Sequence, residues 1–173
     1  MKAKFLTILF VAISMLFIAC DEDSITEAVV GTNSVTVTGD IAKSFDAYTV
    51  AGLDTEDGSE FVLILSPTAD LSDFDNTLMI TKATQTFPEV GTHTNINHDE
   101  DDQDAFHALF YSSSDSTSYL MHSGTIKFTE SSSSKVVGTF DMVGYPVSYT
   151  LIDSTRVLNI TGEFSTIPLD FDW

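Results

Sequence analysis

The chain has 173 residues, with 26 Asp and Glu against 7 Lys and Arg, and a formal net charge of −19. That balance excludes proteins that hold nucleic acid or anionic lipid headgroups through a basic surface, since like charge repels both. One cysteine in the whole chain excludes an intrachain disulfide, so the fold must rest on packing and backbone hydrogen bonds.

The first stretch is an address. Lys2 and Lys4 form a short basic start, and Phe5 to Ile18 is apolar except for Thr7 and Ser14. Ala19, a small residue, precedes Cys20, the sole cysteine. A basic start, an apolar middle and a small residue before the cut make a secretory signal peptide. The apolar run is shorter than the roughly 20 residues that span a bilayer core, and acids rather than bases follow it. Residues 1–19 therefore read as a cleaved signal, with the cut between Ala19 and Cys20. Cys20 reads as the lipid-modified first residue of the mature chain, held at the membrane by its acyl chains. Residues 20–33 read as an acidic tether that opens with Asp21, Glu22 and Asp23. Loss of Lys2 and Lys4 leaves five basic residues against 26 acidic ones, a mature charge of 5 − 26 = −21. Such charge serves solubility, and it also gathers cations.

From Ser34 to Trp173 the sequence reads as one all-β domain of short runs broken by turn residues, with no sustained helical period. Val35 to Thr38 alternates and stops at Gly39-Asp40. Tyr48 to Val50 leads, through the hairpin signal Asp57-Gly58, to Phe61–Leu65. That run is continuously apolar, as in a strand buried on both faces. Pro67 ends it, and a weak helical turn is expected around Ala69 to Asn76. Leu78 to Ile80 is a further strand, and Phe87 to Thr92 a turn that opens a new one. An acidic tip, residues 97–104, comes before the strand Ala105 to Tyr111. Ser112 to Ser118 reads as a loop and Tyr119 to His122 as a short strand. Gly124 to Glu130 alternates, with Ile126 and Phe128 on one face. After Ser131 to Ser134, the residues Val136, Gly138, Phe140 and Met142 share a face, as in a hairpin with one wet side. Val147, Tyr149 and Leu151 are expected inward, followed by Leu158, Ile160, Gly162 and Phe164. Inward Gly138 and Gly162 point to bulges or close backbone approach. Phe171 and Trp173 are expected to cap the core.

About ten strands at spacings near ten residues predict an antiparallel β-sandwich or a flattened barrel. The sandwich is the preferred form; a closed barrel would leave room for a ligand.

Chemistry is sparse. Asn97, Asp99 and Asp101 have the alternate spacing of a calcium loop's start. Asp102 stands where that loop needs glycine, and Ala108 where it needs the bidentate Glu, so the EF-hand pattern fails. A looser calcium site built from Asp99, Asp101, Asp102 and Asp104 is the residual metal candidate, beside the plain reading of a solvated loop. Asp70, Asp73 and Asp75 form a weaker cluster of the same kind. His93, His98, His107 and His122 have no zinc spacing and no cysteine partner. No Gly-x-Ser-x-Gly elbow and no Gly-rich phosphate loop is present. No cofactor is expected, and no catalytic residue stands out.

Several strings carry a family likeness. Phe17-Ile18-Ala19-Cys20 resembles a lipobox, with Phe17 where Leu is usual. The strands at residues 123–129, 135–140 and 158–164 resemble, in order, the "SGT", "VsGTF" and "itnGtF" elements of small Bacteroidota-type lipoproteins of unknown function. Pro88 to Thr92 resembles their upstream element. The resemblance implies an all-β extracytoplasmic domain and implies no activity. In that group, acids directly after the lipidated cysteine can direct export to the cell surface, which Asp21-Glu22-Asp23 resembles. The expectation is a non-enzymatic envelope protein, anchored in the outer membrane through Cys20, on its periplasmic face or at the cell surface. Its role would be binding or structural, with a protein or carbohydrate partner left open and nucleic acid excluded. The alternative expectation is a protein that binds a small ligand or a divalent cation such as calcium.

Overall fold

The computed structural model describes residues 33–54, 60–70, 74–97, 102–148 and 151–171, and these are all β. The strands are β1 (Ser34–Gly39), β2 (Lys43–Asp46), β3 (Tyr48–Asp54), β4 (Glu60–Ser66), β5 (Leu78–Ala83) and β6 (Gly91–His93). They continue as β7 (His107–Ser112), β8 (Thr117–Ser132), β9 (Lys135–Ser148), β10 (Leu151–Ile152), β11 (Leu158–Thr166) and β12 (Leu169–Phe171). The signal stretch with Ala19 and Cys20, the acids Asp21, Glu22 and Asp23, the Asp57-Gly58 turn, and Asp99 and Asp101 lie outside the described residues.

Hydrogen bonding links the strands in the order β12-β3-β4-β5-β7-β8-β9-β11-β1-β2. β2 runs through Ala47 directly into β3, which is hydrogen-bonded to β12 at the other end of the row, so the two ends of the row come together. The sheet therefore curls into a nearly closed barrel, the second of the two expected forms, rather than the preferred sandwich. The curling covers most of the open edge that a flat sheet of this length would present.

The seam shows how the two ends meet. β1 enters as a wedge between β2 and β11, pairing both in antiparallel fashion. At its lower tip, Asn33 C=O accepts the Ala47 N–H at 2.9 Å, and Asn33 Oδ1 accepts the Ser165 N–H at 2.6 Å. Beyond the described β1, Thr166 Oγ1 of β11 donates to Thr49 C=O of β3 at 2.9 Å. β12 then pairs β3 directly, in parallel, from Leu169↔Gly52 to Phe171↔Asp54. This parallel pair is absent from the sequence expectation, which had the last residues capping the core. The side chains of Phe171 and Trp173 lie outside the described ones.

One end of the barrel, here the upper, carries the turns after β1, β4, β7 and β9. The lower end carries the long connection between β5 and β7 and the chain's arrival at Asn33. Two register shifts in β8, at Met121/Ser123 and Phe128/Glu130, let this 16-residue strand coil around the barrel. Expectation split it into a short strand and a hairpin arm. The bulge at His122 bends the strand without breaking it.

The interior is apolar. Phe61, Leu63 and Leu65 on β4 face inward, with Leu78, Ile80, Phe110, Met121 and Ile126 around them, all buried. Ile64, on the other face of β4, is also buried, as its continuous apolar run predicts. The lower half is filled by rings. Phe128 lies 5.7 Å from Phe61, 5.9 Å from Phe106 and 5.6 Å from Phe164, centroid to centroid. Phe87, at 6.1 Å from Phe61, and His93, at 5.2 Å from Phe106, bring the β5–β7 connection against them.

Both inward glycines mark close approach, and Gly138 also stands opposite the β8 register shift at Phe128/Glu130. Gly138 is paired with Phe128 on one side and Phe164 on the other, and Gly162 with Phe140 and Val35. The Phe164 ring occupies the space over Gly138, and the Phe140 ring that over Gly162. One inward assignment is corrected. β9 runs unbroken to Ser148, so the phase of Met142 carries on to Gly144 and Pro146, both buried, and Val147 faces outward. Tyr149 and the side chain of Leu151 lie outside the described residues. No helix forms among the described residues of 69–76, where bends and a turn stand instead; Asn76 there has φ 59°.

Candidate functional site

The densest polar constellation lies at the upper end, where three turns converge. Asp40 follows β1, Asp115 lies between β7 and β8, and Arg156 precedes β11. Tyr119 rises between them from β8, with its residue surface fully buried. Its phenol oxygen is 2.9 Å from Asp115 Oδ2 and 3.1 Å from Asp40 Oδ2, so its single hydrogen can go to either carboxylate. Arg156 Nε donates to Asp40 Oδ2 at 2.5 Å. Arg156 Nη2 pairs with Asp40 as well, and reaches Asp115 Oδ2 and the phenol oxygen at 3.0 and 3.1 Å.

The electrostatics follow from these contacts. Burial and the two carboxylates push the Tyr119 phenol well above its ordinary value, so it stays protonated. Burial pushes the Asp115 carboxyl up, but hydrogen bonds from Tyr119, Ser112, Arg156 and Thr117 outweigh it and hold it below the usual range. The Asp40 hydrogen bond, with Asp115 beside it, holds the Arg156 guanidinium charged. Every charged group in the cluster faces a partner inside it. Such an arrangement ties loops together; it presents no activated nucleophile and no base set against one. A second tie extends the same end. Lys43 Nζ donates to Asn76 Oδ1 at 2.6 Å, and Asn76 Nδ2 donates to Ser113 Oγ at 3.3 Å.

The sequence places Asp40, Asp115, Tyr119 and Asn76 only on turns, a loop and a strand start, and assigns none of them a site role. A signal was present all the same: Arg156 is the only arginine in the chain. A lone guanidinium among so many carboxylates marks a place where bidentate or shared pairing is needed.

The acidic tip lies at the lower end. Asp102 Oδ1 accepts the Asp104 N–H at 3.1 Å, while Oδ2 accepts amide hydrogens from Asn95 at 3.2 Å and Asn97 at 3.0 Å. The side-chain amides of Asn95 and Asn97 and the backbone N–H groups of Asp104 and Ala105 hold this carboxyl below the usual range. The carboxylate thus does the work of a loop staple. Asp104 is exposed, and its carbonyl accepts from Lys82 Nζ, which also lies 5.1 Å from the Phe106 ring centroid. Asp99 and Asp101, the other two calcium candidates, lie outside the described residues, as do His98 and Asp73. Among the described residues, no three His, Cys, Asp or Glu side chains gather as a metal-holding group. The histidines are dispersed: His93 Nε2 bonds Glu89 C=O at 2.8 Å, His107 Nε2 bonds Asp102 C=O at 3.3 Å, and His122 stacks at 5.0 Å on Tyr145.

Glu60 is the carboxyl whose setting works against its charge. It begins β4 opposite Asp54 and Ala83. Burial raises its pKa above the ordinary value, and Asp54 adds to the rise, while Thr81 and His107 pull it down. A carboxyl with a raised folded pKa favours folding at pH values below its unfolded pKa, and that favour is lost as pH rises through the folded value. Glu60→Gln is therefore expected to raise the melting temperature at pH 8 and to leave it unchanged at pH 4. Paired thermal melts at the two pH values check this; an equal shift at both would show that charge is not the cause.

Comparison with known proteins adds no relative: no protein-family model, no curated protein and no solved structure matches this chain.

Proposed function

We propose that this is a lipid-anchored cell-envelope protein whose β-barrel domain binds or scaffolds rather than catalyses. One observation carries the reading: an uncharged apolar run, introduced by Lys2 and Lys4, ends on the only cysteine of the chain. A lone cysteine at that spot has no disulfide to serve, and acylation gives it a use, because two or three acyl chains make attachment stable. The outer membrane is the proposed location, on the periplasmic face or, through Asp21-Glu22-Asp23, at the cell surface. Support for a non-catalytic role comes from the Tyr119–Arg156 cluster, whose guanidinium and two carboxylates pair with one another across three turns. The test is metabolic labelling with a radioactive fatty acid, with the native chain beside Cys20→Ala. Label is expected in the native chain alone, and Cys20→Ala is expected to leave the membrane fraction. Equal labelling of both would overturn the anchor.

A further inference from the structure

β1 is the strand that the chain from Cys20 runs into, and it is held on both sides and at both ends. It pairs with β11 from Ser34↔Glu163 to Gly39↔Leu158, and with β2 from Ser34↔Asp46 to Val37↔Lys43. At its lower end Asn33 accepts the Ala47 N–H on one side and the Ser165 N–H on the other. At its upper end the Asp40 N–H donates to Val157 C=O at 2.9 Å, and the Asp40 carboxylate takes the Arg156 guanidinium and the Tyr119 hydroxyl. Arg156 and Tyr119 both reach Asp115, so the upper grip extends past β11 to β8 and the β7–β8 turn. β2 is braced as well, through Lys43 to Asn76. Strand direction decides what these contacts resist. β1 runs upward from Asn33, and its antiparallel neighbour β11 runs downward from Arg156. A downward pull on the chain before Asn33 therefore draws β1 out along its own axis. Antiparallel ladder bonds lie across the strands, so an axial pull strains all of them together. A pull across the strands opens them one pair at a time, starting beside Asn33.

We propose that β1, locked at its upper end by Asp40, Arg156 and Tyr119, is a load-bearing pin that resists force between the membrane and the upper end of the barrel, a reading that rests on the anchor at Cys20. The lipid fixes the chain at Cys20, and any pull on the barrel reaches that point through Asn33 and β1. The tether meets the lower end and the lock stands at the upper one. An axial pull must therefore break both ladders and the lock in one step. Partly exposed ion pairs such as Arg156 with Asp40 contribute little to stability at equilibrium. Their use here is kinetic, because they raise the barrier to withdrawing β1. Forced unfolding is set by that barrier and not by the equilibrium balance. The same role suits a cluster that presents no activated nucleophile and joins three turns around the end of the tethered strand.

Cys20 is the only thiol, so the direction of pull can be chosen. In the mature chain without lipid, one DNA handle is joined to Cys20, where the acyl chains would attach. The second handle is joined to Ser154→Cys, in the exposed upper turn before β11, or to Ser133→Cys, in the exposed lower turn between β8 and β9. The first pair of handles pulls along β1 and the second across it. In optical tweezers at one loading rate, the axial pair is expected to need at least about twofold more force to unfold the barrel than the transverse pair. Arg156→Gln should lower the axial force, leave the transverse force unchanged and shift the thermal melt little. Asp40→Asn should act in the same direction. Equal forces in the two directions overturn the proposal. So does an Arg156→Gln loss that is equal in both, which would make the cluster a general staple. The comparison of directions uses the native cluster, so it stays decisive even where a variant fails to fold. No lipid enters the measurement: failed fatty-acid labelling at Cys20 would remove the anchor, and failure here would remove the pin alone.

Discussion

Phe128→Ala is expected to lower the stability of the barrel by about 4 kcal/mol, the upper range for removing a buried aromatic side chain. Phe128 is fully buried, and its ring meets Phe61, Phe106, Phe164 and His93, all with centroids within 5.9 Å. These partners come from β4, from the β5–β7 connection, from β11 and from β6. Truncation would open a void that none of the four can fill without leaving the others, because each is held by a different segment of the fold. The melting temperature should fall by roughly 10–20 °C, given the usual entropy of unfolding for a domain of this size. Phe87 supplies the comparison: it is half-buried, and its one ring contact described is the edge of Phe61. Phe87→Ala should cost less than half as much. Chemical denaturation of both variants decides the matter. A cost for Phe128 below about 1.5 kcal/mol, or equal costs at the two sites, would mean that the lower half of the barrel repacks freely and the ring cluster is not its core.

Much of this cluster can be read from the sequence. The alternation around Ile126, Phe128, Phe140 and Phe164 specifies which face of each long strand is buried, and the structure keeps that phase over Ile126 to Phe128, Val136 to Met142 and Leu158 to Phe164, while Val147 turns outward against expectation. Period-2 patterning is a local signal, and strand faces are its direct consequence. Closure is a different kind of fact. Whether ten strands stack as two sheets or curl into one barrel depends on how far each strand twists and where β8 bulges, and neither has a residue pattern of its own. The parallel seam between β3 and β12 is more hidden still. It lies beyond the β1 ladder, which begins at Ser34, where β12 pairs β3 directly.

The upper-end cluster was illegible for another reason. Asp40, Asp115, Tyr119 and Arg156 are spread over 116 positions between first and last, and no spacing rule connects turns that meet only once the sheet curls. Only composition pointed there, through the single arginine. The acidic tip gave the reverse lesson. Its spacing suggests a cation site, but spacing does not reveal that Asn95, Asn97 and a backbone N–H satisfy Asp102. A carboxylate whose lone pairs already accept N–H groups has less to offer a cation.

Gly138→Ala is expected to cost about 3 kcal/mol, the range for forcing extra volume into a packed core. The position shows why a glycine is needed. Gly138 lies on β9 between Phe128 of β8 and Phe164 of β11, whose ring centroids are 5.6 Å apart, and the Phe164 ring lies over the glycine. A Cβ there would stand 2.5 Å from Phe164 Cζ and collide with the Lys127 carbonyl oxygen. The ring is the end of a side chain and can swing; the carbonyl belongs to a paired strand and cannot move without disturbing the ladder. Part of the cost should therefore be recoverable and part not. Phe164→Leu, which clears the ring, should cost about 1–2 kcal/mol alone. Combined with Gly138→Ala, it should cost less than the sum of the two by about 1 kcal/mol, a coupling that a double-mutant cycle in denaturant reads directly. Strict additivity would show that the ring is not what Gly138 makes room for. Full recovery in the double variant would show that the Lys127 carbonyl yields, and that β8 and β9 are less tightly registered at Phe128↔Gly138 than their pairing indicates.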